Sequence, residues 1–143
     1  AHMEEIDYHW KCQLLGYDIW VEPKSVVFHH GAITLPISSP RKTYLNYRNS
    51  LILLLTNYPA NISFKLFFPR FFMELLSFIK EILFFRWNHA LAIIKSWFWI
   101  IFHPGFLYQR RRNLKITHKV DNIYKKSIIV AYYLMGKKIY KEL

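Results

Sequence analysis

Near its N-terminus the chain reads MEEIDYHWKCQLLGYDIWVEPKSVVFHHG, residues 3–31. Within this segment Trp10 and Leu14 are four residues apart, as on one face of a helix. Gly16 follows where a left-handed residue commonly caps a helix C-terminus. A helix is therefore predicted over residues 5–15.

The segment after Gly16 has the pattern of strands. Residues 17–21 alternate in polarity, residues 25–29 form a second candidate strand, and Pro23 marks a turn between them. The sequence predicts a helix that leads into a short strand pair, as at the end of an α/β layer.

Past Ser39 the chain changes to helical patterns. Helices are predicted over residues 40–55, 64–87 and 91–102, and one or two more amphipathic helices are expected after Pro104. The helix over 64–87 has two opposite stripes. The apolar stripe is Phe68, Phe71, Phe72, Leu75, Ile79, Ile82 and Leu83. The polar stripe is Arg70, Glu74, Ser77 and Glu81.

Charge divides the chain. Residues 1–40 hold two basic and five acidic side chains, whereas residues 41–143 hold eighteen basic and four acidic ones. Basic clusters beside aromatic, apolar faces favour contact with an anionic membrane surface. A packed helical bundle or a homodimer seam would hide the same faces. Nucleic acid is not expected, because the apolar bulk exceeds what a phosphate-tracking surface needs.

Charged residues interrupt every window of roughly 20 residues that a membrane-spanning helix needs. The helical tail is therefore expected to lie on a membrane rather than cross it. Cys12 is the single cysteine, which excludes an intramolecular disulfide and favours a reducing compartment.

Three stretches, in this order, resemble the C-terminal portion of bacterial family 2 glycosyltransferases. They are the acidic Glu4-Glu5-Ile6-Asp7 with Trp10-Lys11 and Gly16-Tyr17, then Val26-Val27-Phe28-His29-His30-Gly31, and then Ser39-Pro40-Arg41 with Tyr44 and Arg48-Asn49.

The resemblance implies an inverting, rhamnosyltransferase-like transfer from a nucleotide-sugar donor to a lipid-linked or polysaccharide acceptor. It also implies the nucleotide-binding GT-A fold, with residues 1–38 as the end of the catalytic domain, 39–60 as a linking helix and 61–143 as a membrane-associated tail. The nucleotide-binding half is expected before Ala1, so the 143 residues alone should be inactive. The expected location is the cytoplasmic face of the bacterial inner membrane.

For catalysis the resemblance aligns Glu5 with the base that takes a proton from the acceptor hydroxyl. Relatives more often have Asp at this position. Glu4 would help to set its ionisation, and Asp7 completes the catalytic set. The alternative is that these carboxylates only complement a helix N-terminus.

For acceptor binding the resemblance singles out Trp10, Arg41, Tyr44 and Arg48. The two arginines would bind diphosphate oxygens through charge-assisted bonds. The alternatives are a core tryptophan and a solvated basic face.

For the metal, Mg²⁺ or Mn²⁺ is expected in the full-length enzyme. His29 is a candidate ligand, while the main Asp-x-Asp ligands are absent from this chain. An ordinary strand-end histidine is the alternative for His29. For the whole chain, the alternative function is a non-enzymatic peripheral membrane-binding or interaction module.

Overall fold

The computed structural model describes residues 3–28, 36, 38–114, 120, 124 and 127–139. Helices make up 71% of these residues. The described helices are α1 (Glu4–Leu14), α2 (Pro40–Asn57), α3 (Ala60–Leu83), α4 (Trp87–Phe102), α5 (Pro104–Asn113) and α6 (Ile128–Tyr133).

The first helix ends in the glycine cap that its sequence predicts. Gly16 has a φ of 86°. Its N–H donates to the Gln13 carbonyl at 3.0 Å, and the Tyr17 N–H donates to the Cys12 carbonyl at 2.9 Å. These bonds satisfy carbonyls that a helix end would otherwise leave unpaired. The predicted first helix is confirmed.

The predicted strand pair, and with it the α/β fold, is wrong. No strand and no sheet occurs in the residues that the structure describes. Residues 17–28 are irregular apart from a turn closed by the Ser25 N–H and the Glu22 carbonyl at 3.0 Å. Alternating polarity shows which side chains could share a face, but a strand also needs a neighbouring strand for its backbone hydrogen bonds. The described chain is helical, so the expected end of a GT-A domain is not found.

The second helix begins where the sequence predicts. Ser39 has an extended backbone, and Pro40 is at the first helical position, where its missing N–H leaves no bond unmade. The helix continues to Asn57, two residues past its predicted end. This helix was expected to be a link, but it is the central element, because α1, α3, α4 and α5 all pack against it.

The core lies mainly between α2 and α4. From α2 it includes Leu51, Ile52 and Leu53, and from α4 it includes Ala90, Ala92, Ile93 and Ser96. The α4 contribution is rich in small side chains, which let two helix backbones approach closely. Ile93 is fully buried at the centre of this contact.

The third helix has the amphipathic period that the sequence predicts, with bounds shifted by about four residues. Its buried residues are both polar, Ser63 and Glu74. The larger members of the predicted apolar stripe, such as Phe68 and Phe72, are each 58% exposed. The polar stripe therefore packs against the bundle and the apolar stripe faces outward.

A sharp bend separates α4 from α5. Among the described residues, no single helix is long and apolar enough to cross a membrane. By length and composition, α4 and α5 pass that test only as a pair, with an angle of 69° between them.

Candidate functional site

A cavity of about 250 Å³ lies where α1, α2 and α5 meet. Its lining residues are Met3, Glu4 and Asp7 from the start of α1, Arg48, Asn49, Ile52 and Leu53 from α2, and Phe106 and Arg110 from α5. Two carboxylates and two guanidiniums thus share a wall with buried aliphatic side chains. Such a mixture can orient a ligand that has both hydroxyl and anionic groups.

The predicted catalytic carboxylates take different positions around this cavity. Glu4 and Asp7 are three residues apart, so they lie on one face of α1, and both line the cavity. Glu4 and Glu5 are both exposed, but Glu5 is not part of the lining. The structure therefore brings together two of the three predicted carboxylates, and the residue assigned as the base is not one of them.

Asp7 ties three helices together. Its carboxylate accepts from Arg110 Nη2 at 2.6 Å, from Lys11 Nζ at 2.7 Å and from Asn57 Nδ2 at 3.0 Å. Burial acts to raise the pKa of Asp7, but these three hydrogen bonds and the charge of Arg110 outweigh it, so the pKa lies below the ordinary value.

A low pKa bears on the role of Asp7. Acid–base catalysis is most efficient when the pKa of the base lies near the working pH. A carboxylate whose pKa is lowered by two cations is instead typical of a structural ion pair. The catalytic role of Asp7 stays a prediction, while its role in joining α1, α2 and α5 is observed.

Arg48 is held in place by aromatic rings. Its guanidinium carbon lies 5.1 Å from the ring centres of both Tyr44 and Trp99. Nε and Nη2 donate to Asn49 Oδ1 at 3.0 and 2.9 Å. Cation–π contacts and the bonds to Asn49 fix the plane of the guanidinium. The same bonds occupy its Nε–Nη2 edge.

The other predicted acceptor-binding residues lie apart from the cavity lining. Arg41 is exposed near the start of α2. Trp10 meets Tyr58 edge to face, with ring centres 4.5 Å apart. Burial raises the pKa of Tyr58. Trp10, which is half-buried, therefore packs α1 against the end of α2.

Two arginines within the predicted tail have defined partners. Arg110 pairs with Asp7 and donates from Nε to Thr56 Oγ1 at 3.1 Å. Arg111 donates to the carbonyls of Leu55 and Tyr58 at 2.7 and 2.9 Å, which caps the C-terminus of α2. Nothing in the local sequence distinguishes them from Arg112, because their partners lie more than fifty residues earlier in the chain.

The metal prediction concerns His29 and ligands that are expected outside this chain. His29, the candidate ligand, lies outside the described residues. Within the described part of the chain, no group of three His, Cys, Asp or Glu side chains is placed to hold a metal ion. The divalent metal stays a prediction for the full-length enzyme.

The chain was compared with protein-family models, curated proteins and solved structures, and it matches none of them.

Proposed function

We propose that this chain is the acceptor-side part of an inverting family 2 glycosyltransferase. The reaction transfers a sugar from a nucleotide-sugar donor to a lipid-linked or polysaccharide acceptor. The proposed location is the cytoplasmic face of the bacterial inner membrane. The donor-binding part, with its divalent metal, would belong to a longer chain.

One observation carries the proposal. The acidic stretch and the Arg48-Asn49 pair are two of the stretches on which the resemblance rests, and they are about forty residues apart in sequence. Glu4, Asp7, Arg48 and Asn49 nevertheless line one cavity. Convergence of motif residues from separate helices supports a shared site more strongly than either motif alone.

The chemistry of the cavity suits the proposed reaction. A carboxylate removes the proton of the acceptor hydroxyl while the hydroxyl oxygen forms a bond to the anomeric carbon. The bond from that carbon to the nucleoside diphosphate breaks, and the diphosphate leaves with the electron pair. Arg48 would bind phosphate oxygens of the acceptor lipid or of the leaving group. The aromatic rings on Arg48 limit its motion, so less conformational entropy is lost on binding.

The base assignment has two candidates. The sequence pattern favours Glu5, and the cavity geometry favours Glu4, which lines it. In the full-length enzyme, we expect Gln at the true base position to lower transfer by at least about 100-fold without weakening donor binding. Release of nucleoside diphosphate from a panel of UDP-, GDP- and dTDP-sugars, with bacterial lipid extract as the acceptor source, measures transfer for Glu4→Gln and Glu5→Gln side by side.

Asp18→Asn is the matched control, because Asp18 is an exposed carboxylate in the irregular segment after α1. It should retain the transfer rate of the unmodified enzyme. If both glutamine variants also retain it, neither glutamate is the base and the proposed reaction loses its chemical centre.

A second candidate is a non-enzymatic membrane-binding or interaction module. The outward apolar stripe of α3 favours this candidate, because such a surface can bind a membrane or a protein without a catalytic site. The reading frame upstream of Ala1 separates the two functions. An Asp-x-Asp motif within a βαβ pattern there supports the enzyme, whereas a stop codon directly before Ala1 supports the module.

A further inference from the structure

The face of α3 that packs on the bundle is polar, and its side chains form hydrogen bonds with one another and with α2 and α4. Glu74 is 2% exposed and accepts from Arg70 Nε at 2.6 Å and from the indole N–H of Trp97. Arg70 Nη2 donates to Ser50 Oγ of α2 at 2.7 Å. Ser63 Oγ donates to the Leu54 carbonyl at 2.8 Å. These polar groups are directed inward and hydrogen-bonded there, as burial requires.

The opposite face of α3 is apolar along most of its length. Between Lys65 and Lys80, every exposed residue is apolar. These residues are Leu66, Phe68, Pro69, Phe71, Phe72, Met73, Leu76 and Ile79. At 1.5 Å per residue the apolar face extends for about 20 Å. Exposed apolar surfaces of this extent mark contact with a membrane or another protein.

A second apolar stripe lies on α4. Its exposed members at helical spacing are Trp87, Leu91, Lys95, Phe98 and Phe102. One lysine interrupts it. Since α3 and α4 pack against each other, their outward stripes are carried by adjacent helices.

The charges around these stripes are of one sign. Residues 60–113 contain two acidic side chains, Glu74 and Glu81, against eight lysines and arginines. Glu74 is paired with Arg70, and Glu81 with Arg86 at 3.0 Å. Lys65 and Lys80, exposed at the two ends of the α3 face, therefore give the surface a basic rim, which is complementary to anionic headgroups.

We infer that the outward faces of α3 and α4 are immersed in an anionic lipid membrane, with α3 parallel to the membrane plane. An apolar length of about 20 Å is shorter than the roughly 30 Å hydrocarbon core, and Lys65 and Lys80 at its ends reach the headgroup level from the same side. A second copy is the less favoured occupant, because a symmetric contact would bring two basic rims together.

This inference deepens the membrane location in the proposed function, but its argument does not use sugar transfer. Binding to vesicles is measured without donor or acceptor sugar. Failure of the membrane inference would therefore leave the catalytic test unaffected, and the reverse also holds.

The first experiment measures flotation of the 143-residue chain with phosphatidylcholine vesicles, with and without phosphatidylglycerol. We expect binding to rise with the anionic lipid and to fall as salt is added. The double variant Phe68→Asp/Phe72→Asp should bind at least about tenfold more weakly, because it places two charges in the apolar face. Phe28→Asp, at a residue that is 90% exposed outside α3, should bind like the unmodified chain.

Circular dichroism without vesicles should give the same helical content for all three chains. Equal flotation of the double variant and the Phe28→Asp control would overturn the inference. So would equal flotation with both lipid compositions.

The second experiment measures depth. Single spin labels are placed at Phe68, Phe72 and Leu76, and at the inward Phe78, in a Cys12→Ser background. With vesicles, oxygen accessibility should rise at the three outward positions and should give the same membrane depth for each. At Phe78 it should stay low. A steady gradient of depth along α3 would mean a crossing or steeply inserted helix, and concentration-dependent immobilisation without vesicles would mean a second copy. Either result overturns the inference.

Discussion

The helices α4 and α3 both pack against α2, but they bury opposite kinds of side chain. At α4 the buried residues are aliphatic or small, with Ile93 fully enclosed. At α3 the buried residues are Ser63 and Glu74. Ser63 and Glu74 both have hydrogen-bonded partners, whereas the α4 contact depends on close packing. Removal of apolar surface from water is favourable. The outward apolar face of α3 is therefore the surface that the proposed membrane contact would cover.

The largest expected effect separates these two surfaces. Ile93→Ala should lower the free energy of unfolding by about 2–5 kcal/mol, because it leaves a cavity in the α2–α4 core. Phe72→Ala removes a larger side chain but should change this free energy by only about 0.5 kcal/mol or less, because Phe72 faces outward. Urea unfolding without lipid, followed by circular dichroism, measures both.

Similar losses for the two variants would mean that Phe72 is buried in the free chain. That outcome would remove the contrast between the α4 and α3 contacts.

An intermediate effect is expected in the polar contact of α3. Glu74→Ala should cost about 1–3 kcal/mol, since it leaves Arg70 and the Trp97 indole without their acceptor. The double variant Arg70→Met/Glu74→Leu should recover part of this loss, because well-packed apolar groups can replace a buried ion pair. The same urea unfolding measures both. A double variant less stable than Glu74→Ala would show that the polar contact cannot be replaced by packing.

Among the contacts between helices, the smallest loss is expected at the other polar contact of α2, made by Asp7. Asp7→Asn should lower the free energy of unfolding by about 1 kcal/mol at neutral pH, a value reduced by partial solvent access. The folded pKa of Asp7 lies below the 3.8 of the unfolded chain. Its contribution is therefore complete above that value and is lost as the pH falls through the folded pKa.

Urea midpoints at neutral pH and at about pH 3 measure this dependence. The difference between the unmodified chain and Asp7→Asn should shrink on acidification, while Asp18→Asn should match the unmodified chain at both. A difference that is unchanged at the lower pH would show that the contribution of Asp7 does not depend on its charge.

Much of the helical structure could be predicted from local sequence. A helix is indicated by the period of residues 64–87, a helix start by the proline after Ser39 and a helix end by the glycine after Leu15. Each could be recognised because helix geometry and caps depend on neighbouring residues. For the same reason the carboxylates at the start of α1 were found as a group. The strand pair was predicted wrongly because a strand also depends on a distant partner strand.

The residues of the sequence thus determined the helices, the cap at Gly16 and the excess of basic charge. Only the tertiary structure decided that Asp7 meets Arg110, that Glu4 rather than Glu5 lines the cavity and that α3 turns its polar stripe inward. An amphipathic period fixes two faces of a helix, but which face meets the bundle depends on the partners that the fold supplies. Here Ser50 and Trp97 offer hydrogen bonds to Arg70 and Glu74, and Phe68 and Phe72 are left outside.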